Sequence, residues 1–593
     1  MSLTTFPLFG QEAKSKGKAT APIAAPAPKV DYNAVDWGTI ARIRNEAFRN
    51  SKVMEILSDI TDGIGPRLTN SPNMRKANAW TRDQLTKFGL ENSHLEAWGP
   101  FGRGWSYETS TVQMTSPDRS ELIALPKAWT PGTNGPVRGK VMRFRATTSE
   151  ELAKYKGKIT GAILLTGDMR DLVLNTKALS ERYDEKTLAE EAEYEIPGSR
   201  PPSPALAAFL NVTPEERQRR QRFARELVKF LDEEKPAVVI EGSRSPGEGG
   251  TVFVQGNGQA FRKGELTGPP ALVMNIEHYG RISRLLDKKV DVELEVNVKT
   301  TFYDDDPMGY NTVAEIPGTD PALKDQVVML GGHLDSWHGG TGATDNAAGS
   351  AVAMEAVRII KALGLKPRRT IRIALWSGEE QGLMGSRGYV AEHLASRPEN
   401  TDAAVQNMPA FLRPPAGPLS FKPEWDKVSA YFNIDNGSGK IRGIYMQENA
   451  AVAPIFKAWM EPFADLGMSA MSMRNTGGTD HLSFDAVGVP GFQFIQDGLE
   501  YDTRTHHSNM DVYERLQKGD LMQMAAIEAS FVYMAAMRDD MFPRKPVPPD
   551  PPRPGQPAAA APAAAAPAAE PKKDEKKPAA KKDDKKPAEP KKP

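Results

Sequence analysis

From residue 301 to 545, short apolar runs alternate with longer amphipathic ones, and this alternation most constrains the fold. Strand-like runs at 326–330, 370–376, 428–434 and 491–495 are separated by helical patterns at 347–363, 383–394, 450–463 and 521–537. Strands spaced by helices predict an α/β fold, a mixed, mostly parallel sheet flanked by helices on both faces. Ligands of such sheets sit beyond the carboxyl ends of the strands. Chemistry is therefore expected in the residues that follow each strand.

Those residues are of the expected kind. The first strand is followed by Gly331-Gly332-His333-Leu334-Asp335-Ser336, and then by Gly342-Ala343-Thr344-Asp345-Asn346, which opens a helix. The next strand runs into Trp376-Ser377-Gly378-Glu379-Glu380-Gln381-Gly382, and a third into Asn433-Ile434-Asp435-Asn436. Beyond the last strand lies Thr505-His506-His507-Ser508-Asn509-Met510-Asp511. The chain has no cysteine, so any metal must be held by imidazole and carboxylate. Two metals about 3.5–4 Å apart can share one carboxylate, each taking one further His and one further acid. His333, Asp345, Glu380, Asp435 and His507 supply such a set. Glu379 is then left as a base toward activated water, and Asp335 can orient the His333 ring. Taken singly, each piece has a plainer explanation. A Glu-Glu pair is usually a solvated helix start, His-x-Asp a surface pair, and Asp-Asn a helix cap. The conjunction at separate strand ends favours chemistry. His94, His278 and His393 keep structural roles.

The 593 residues suffice for two or three domains, and 76 basic against 76 acidic residues give no argument for nucleic acid or an anionic membrane as partner. Residues 33–115 open with helical patterns at 40–57 and 73–88 and a strand near 92–97, forming the first part of the main domain. Residues 116–300 are richer in short β runs, interrupted by a very charged helix at 214–234, and read as an insert. Residues 301–545 complete the main domain. Residues 11–32 and 546–593 are Pro-, Ala- and Lys-rich, and segments 1–32 and 546–593 are expected to be disordered. Residues 3–10 resemble the tail of a secretory signal, which points to a secreted or periplasmic protein. The apolar stretch 521–537 contains Gln523 and Glu528 and reads as a buried helix, so no membrane span is expected.

The motifs His333-Leu334-Asp335-Ser336-Trp337, Gly364-Leu365-Lys366-Pro367-Arg368-Arg369-Thr370, Leu375 through Gly382 and His506-His507-Ser508 together resemble the two-zinc exopeptidases, a family of aminopeptidases and glutamate carboxypeptidases. The resemblance covers about residues 33–540. It implies the zinc exopeptidase fold, two zinc ions and a peptide substrate, and leaves a homodimer open. It also implies that Asp345 bridges the ions, that His333 and Asp435 serve one and Glu380 and His507 the other, and that Glu379 is the general base. Residues 116–300 would be a β-rich protease-associated domain that narrows the cleft. Many relatives have Tyr where this chain has His506, so His506 is expected to donate to the oxyanion in its place. The loop Gly477-Gly478-Thr479-Asp480-His481 resembles a family loop near substrate. Relatives also carry a cis bond at the step matching Asp345–Asn346, and one is expected here.

Two other functions compete: an inactive binding scaffold of the same fold, and a one-metal cyclase or amide-processing relative. Loss of ligands or base would mark the first, and a smaller ligand set the second. Neither loss is visible. Whether Arg474 or Arg504 anchors a peptide carboxylate is not legible in the sequence.

Overall fold

The computed structural model describes residues 31–193, 212–244, 248–398, 400–401, 405 and 417–547. Nearly all of the segments 1–32 and 546–593, including the signal-like residues 3–10, lie outside them.

The main sheet has eight strands, in the order Glu91–Trp98, Gly309–Ile316, Thr370–Trp376, Val327–His333, Val428–Asn433, Gly491–Gln496, Ile441–Tyr445 and Ala470–Ser472. Its centre, from Thr370–Trp376 to Gly491–Gln496, is parallel. Glu91–Trp98, Gly309–Ile316 and Ile441–Tyr445 join antiparallel to their inner neighbours. The fold is thus a mixed α/β sheet flanked by helices. Val327–His333 is buried along its whole length, as a strand covered on both faces must be. Its alternate residues serve different layers. Val328 and Leu330 pack with Val352 and Phe531, whereas Val327 and Met329 pack with Tyr389 and Phe484. Helices Ala348–Ala362 and Lys518–Met537 supply the first layer, and Met384–His393 and His481–Asp485 the second. Gly331 lets the central strands approach, since a Cβ there would lie 1.8 Å from the Ala374 carbonyl oxygen.

The stretch 521–537 is indeed a buried helix. Gln523 pairs with both backbone groups of Ile441, at 3.0 and 2.8 Å. Among the described residues no helix is long and apolar enough to cross a membrane. The helical pattern 40–57 is two helices, Trp37–Arg49 and Val53–Ser58, because the Lys52 amide turns to the buried Glu355 carboxylate at 3.0 Å. Helix Pro72–Lys87 starts where Ser71 caps the Met74 amide and Pro72 fills the first turn. Its cap fixes the preceding residues 65–71 beneath the strand ends.

A second eight-stranded sheet runs Ser120–Leu122, Gly104–Ser116, Glu293–Tyr303, Val137–Phe144, Ile163–Thr166, Val238–Gly242, Ala271–Met274 and Ala124–Pro126. It has its own core, in which Ile163, Ile240, Leu272 and Ile282 meet. The charged helix Pro214–Glu234 packs here, laying Phe223, Leu227, Phe230 and Leu231 against Phe144, Ile159 and Leu164. Trp98, Phe101, Trp105, Trp129, Phe261 and Trp337 form an aromatic seam between the two sheets.

Candidate metal centre

The parallel register sets His333 beside Trp376, and Gly331 beside Asn433. The loops after three strands therefore leave the sheet side by side. His333 Nδ1 lies 3.0 Å from the main-chain carbonyl of Asp335 and 3.6 Å from its carboxylate. A carbonyl partner requires Nδ1–H and leaves Nε2 to face the carboxylates. Nε2 faces Asp435 Oδ1 at 3.2 Å and Asp345 Oδ1 at 3.3 Å. On the other side, His507 Nε2 faces Glu380 Oε2 at 2.9 Å and Asp345 Oδ2 at 3.4 Å. The two oxygens of Asp345 thus address two different imidazoles, each with a second carboxylate. His506 Nε2 stands 3.9 Å from Asp345 Oδ2, its ring 3.8 Å from that of His507. Two sets of donor atoms close enough to hold an ion overlap at Asp345: His333 with Asp345 and Glu380, and Asp345 with His506 and His507.

The Asp345–Asn346 peptide bond is cis. Asn346 donates to the Ile434 carbonyl at 2.8 Å and accepts the Gly349 amide at 2.9 Å. Gly349 has no room for a side chain, since its Cβ would lie 2.1 Å from the Ile434 oxygen. The Asp335 carboxylate accepts from Thr69 Oγ1 at 2.8 Å and from the amides of Glu379 and Glu380 at 3.3 and 3.4 Å. It therefore fixes the Glu-Glu turn more directly than the ring of His333.

The electrostatics are those of crowded acids. Burial pushes the Glu379 carboxyl well above its ordinary range, with Asp435, Asp480 and Glu380 adding to it against the pull of His333. Burial and then Asp345 do the same to Glu380. Asp345 is held low in spite of its burial by the hydrogen bond to His333 and by His507 and His506. Asp345 Oδ2 and Glu380 Oε1 are buried without a hydrogen-bond partner. Unpaired acceptors among converging carboxylates are what a cation would satisfy.

Four supporting residues were not singled out from the sequence. Arg67, fully buried, donates to the carbonyls of Leu334, Gly65, Thr341 and Gly342 at 2.7–3.1 Å, tying together the loops that carry His333 and Asp345. Burial lowers its pKa to about 10 against the pull of Asp511, Asp335, Asp345 and Glu380. Asp511 accepts from the Thr344 amide and hydroxyl at 2.7 and 2.8 Å and from the Asp345 amide at 3.1 Å. Asp480, in the glycine-rich loop, is wholly buried, and burial pushes its carboxyl up to about 7. Thr69 completes the set. Only Asp511 and Asp480 fell within motifs noted from sequence, and nothing there gave them a task. Arg474 and Arg504 are engaged by Glu191 at 3.0 Å and Glu500 at 3.3 Å.

Residues 311–532 match the family described as Peptidase family M28. Carboxypeptidase Q of Bos taurus is 27% identical over 497 residues, covering 83% of this chain and 86% of that protein. Leupeptin-inactivating enzyme 1 of Streptomyces exfoliatus is 30% identical over 204 residues, 34% of this chain and 39% of that one. The crystal structure of a Peptidase M28 precursor from Shewanella amazonensis superposes with a TM-score of 0.57 at 22% identity, covering 86% of this chain and 99% of that chain, and shares the fold. The chain is a hydrolase of the metallo-exopeptidase kind, and its residues 311–532 match the model of Peptidase family M28.

Proposed function

We propose that this chain cleaves terminal peptide bonds of short peptides or dipeptides, using two zinc ions held by His333, Asp345, Asp435, Glu380 and His507. The observation that carries this reading is the position of Asp345, whose two oxygens lie 3.3 and 3.4 Å from the imidazoles of His333 and His507. Two imidazoles and three carboxylates without sulfur suit zinc. The orphaned oxygens of Asp345 and Glu380 support the fit. When bound, zinc would polarise the scissile carbonyl and lower the pKa of water from 15.7 toward about 7.

The rest falls to the side chains. Glu379 takes the proton of the attacking water and passes it to the leaving amine. Asp335 holds the Glu379 and Glu380 amides, so the base and its neighbouring ligand keep a fixed spacing. His506 is the more exposed of the two adjacent imidazoles, at 37% against 15%. It is placed to donate to the developing oxyanion. The second sheet, which begins at Gly104 and ends at Tyr303 where 116–300 was expected from sequence, acts as a protease-associated rim to the cleft. We also place the protein in a secreted or periplasmic setting, on the signal-like residues 3–10.

The test is elemental analysis of the purified protein together with hydrolysis of free, N-blocked and C-blocked dipeptides. Two zinc ions per chain and loss of turnover on blocking one terminus are expected. A folded protein with no metal-dependent hydrolysis would refute the proposal.

A further inference from the structure

The segment 497–509 delivers His506 and His507 to the site, and two of its residues have a backbone conformation that side chains disfavour. Leu499 has φ +46° and His507 φ +56°, neither being glycine. Such residues persist only where their surroundings dictate the geometry. At both positions the surroundings come from the second sheet's part of the chain. Leu499 exchanges two backbone hydrogen bonds with Glu181, at 3.1 and 2.8 Å. The His507 carbonyl accepts from the Val254 amide at 2.9 Å, and Phe253 pairs with Ser508 in an isolated bridge.

The side chains around these ties point the same way. Thr503 Oγ1 donates to the Leu179 carbonyl at 2.5 Å, and Asn509 Oδ1 accepts the Val252 amide at 2.7 Å. Arg182 reaches across to Asp497 and Asp520, both at 2.8 Å. Both carboxylates are buried, and Asp497 is also held by Arg442 at 2.9 Å. The arm at 179–183 and the strand-like stretch 250–254 thus grip the ligand loop from two ends.

We propose that Arg182 is a positioning residue: it anchors the arm that holds the His506–His507 loop in its left-handed turns, so the second sheet's unit sets how tightly one of the two metals is bound. The inference rests on the two-zinc reading above. It assigns to the insert a share in building the site as well as in bordering it. The metal served by His507 and Glu380 should depend on the arm. The one served by His333 and Asp435, which the parallel strands and Arg67 hold, should not.

The experiment is chelator competition on the zinc-loaded full chain, resolving the two metals by their release. Arg182→Ala should speed loss of one metal at least tenfold and leave the other unchanged. Arg182→Lys should recover much of the difference. Thr503→Ala, an exposed change that does not threaten folding, should give a smaller shift in the same metal. Leu499→Gly, which removes the conformational cost at that turn, should partly restore the Arg182→Ala protein. Equal weakening of both metals in step with a lower melting temperature, or no change in either, would overturn the proposal. A wild-type chain that does not bind two metals would instead defeat the two-zinc reading, which the first titration settles before any variant is compared.

Discussion

The backbone amide of Glu379 donates to the carboxylate of Asp335 at 3.3 Å, so the proposed base is held by its main chain while its side chain stays available. Replacing that side chain should therefore cost chemistry and little else. Glu379→Gln is expected to keep its fold and both metals and to lose 10²–10⁴-fold or more in kcat, roughly the worth of a general base. Near-normal turnover with metal bound would remove Glu379 from that role.

Asp345→Ala should release both metals, because its two oxygens address both imidazoles. His507→Ala should weaken one. Elemental analysis of each purified variant distinguishes the two outcomes, and equal losses would contradict a shared ligand.

Arg67 is buried and its guanidinium serves four carbonyls. Arg67→Leu would leave those acceptors without a donor, at a cost of roughly 3–5 kcal/mol. Urea unfolding of the metal-free protein should show the loss. Unchanged unfolding would mean that the loops at 334 and 341–342 hold themselves.

His393 sits between Glu96 at 2.9 Å and Glu424 at 3.8 Å, and hydrogen bonds to Glu424 and Glu96 raise its pKa to about 9. A raised imidazole pKa stabilises the fold fully below the unfolded value near 6.5, and the gain is lost as pH rises through 9. Unfolding midpoints of wild type and His393→Gln should therefore differ most below pH ~6.5 and converge above pH ~9. A constant difference across that window would mean the pair contributes by packing alone.

The carboxyl-terminal segment is expected to be dispensable, but the boundary for removing it lies later than composition suggests. Arg544 donates to the carbonyls of Trp425 and Val428 at 2.6 and 2.7 Å, and Lys545 reaches Asp485 at 2.7 Å. Truncation after Val547 should leave peptide hydrolysis and melting temperature unchanged. Truncation after Arg544 removes the Lys545 bridge and should lower stability measurably.

The parts of the molecule that were legible in sequence share a physical reason. Parallel strands buried on both faces read as apolar runs such as Val327–Leu330, and the residues following them are polar for no structural need, so His333, Glu380 and Asp435 stand out. The antiparallel margins Gly309–Ile316 and Ile441–Tyr445 carry mixed patterns and were not anticipated. Arg67 escaped notice, and Asp480 was given no task within its noted loop, because an isolated charge in a loop usually lies in solvent. Only the packed chain reveals that both are buried. Asp511 sat within a noted motif, but its bond to the Asp345 amide joins residues far apart in the sequence.

The order of strands along the chain has a consequence for synthesis. Strand Glu91–Trp98 of the main sheet emerges first, and the whole second sheet is complete once Tyr303 has left the ribosome. The pairing of Gly104 with Tyr303 closes that unit while most of the main sheet does not yet exist. His507, by contrast, emerges near the end, after every parallel strand. Folding during translation proceeds from the amino terminus, so the second sheet is formed before the loop 497–509 that packs against it, and the proposed ligand set stays incomplete until His507 has been made.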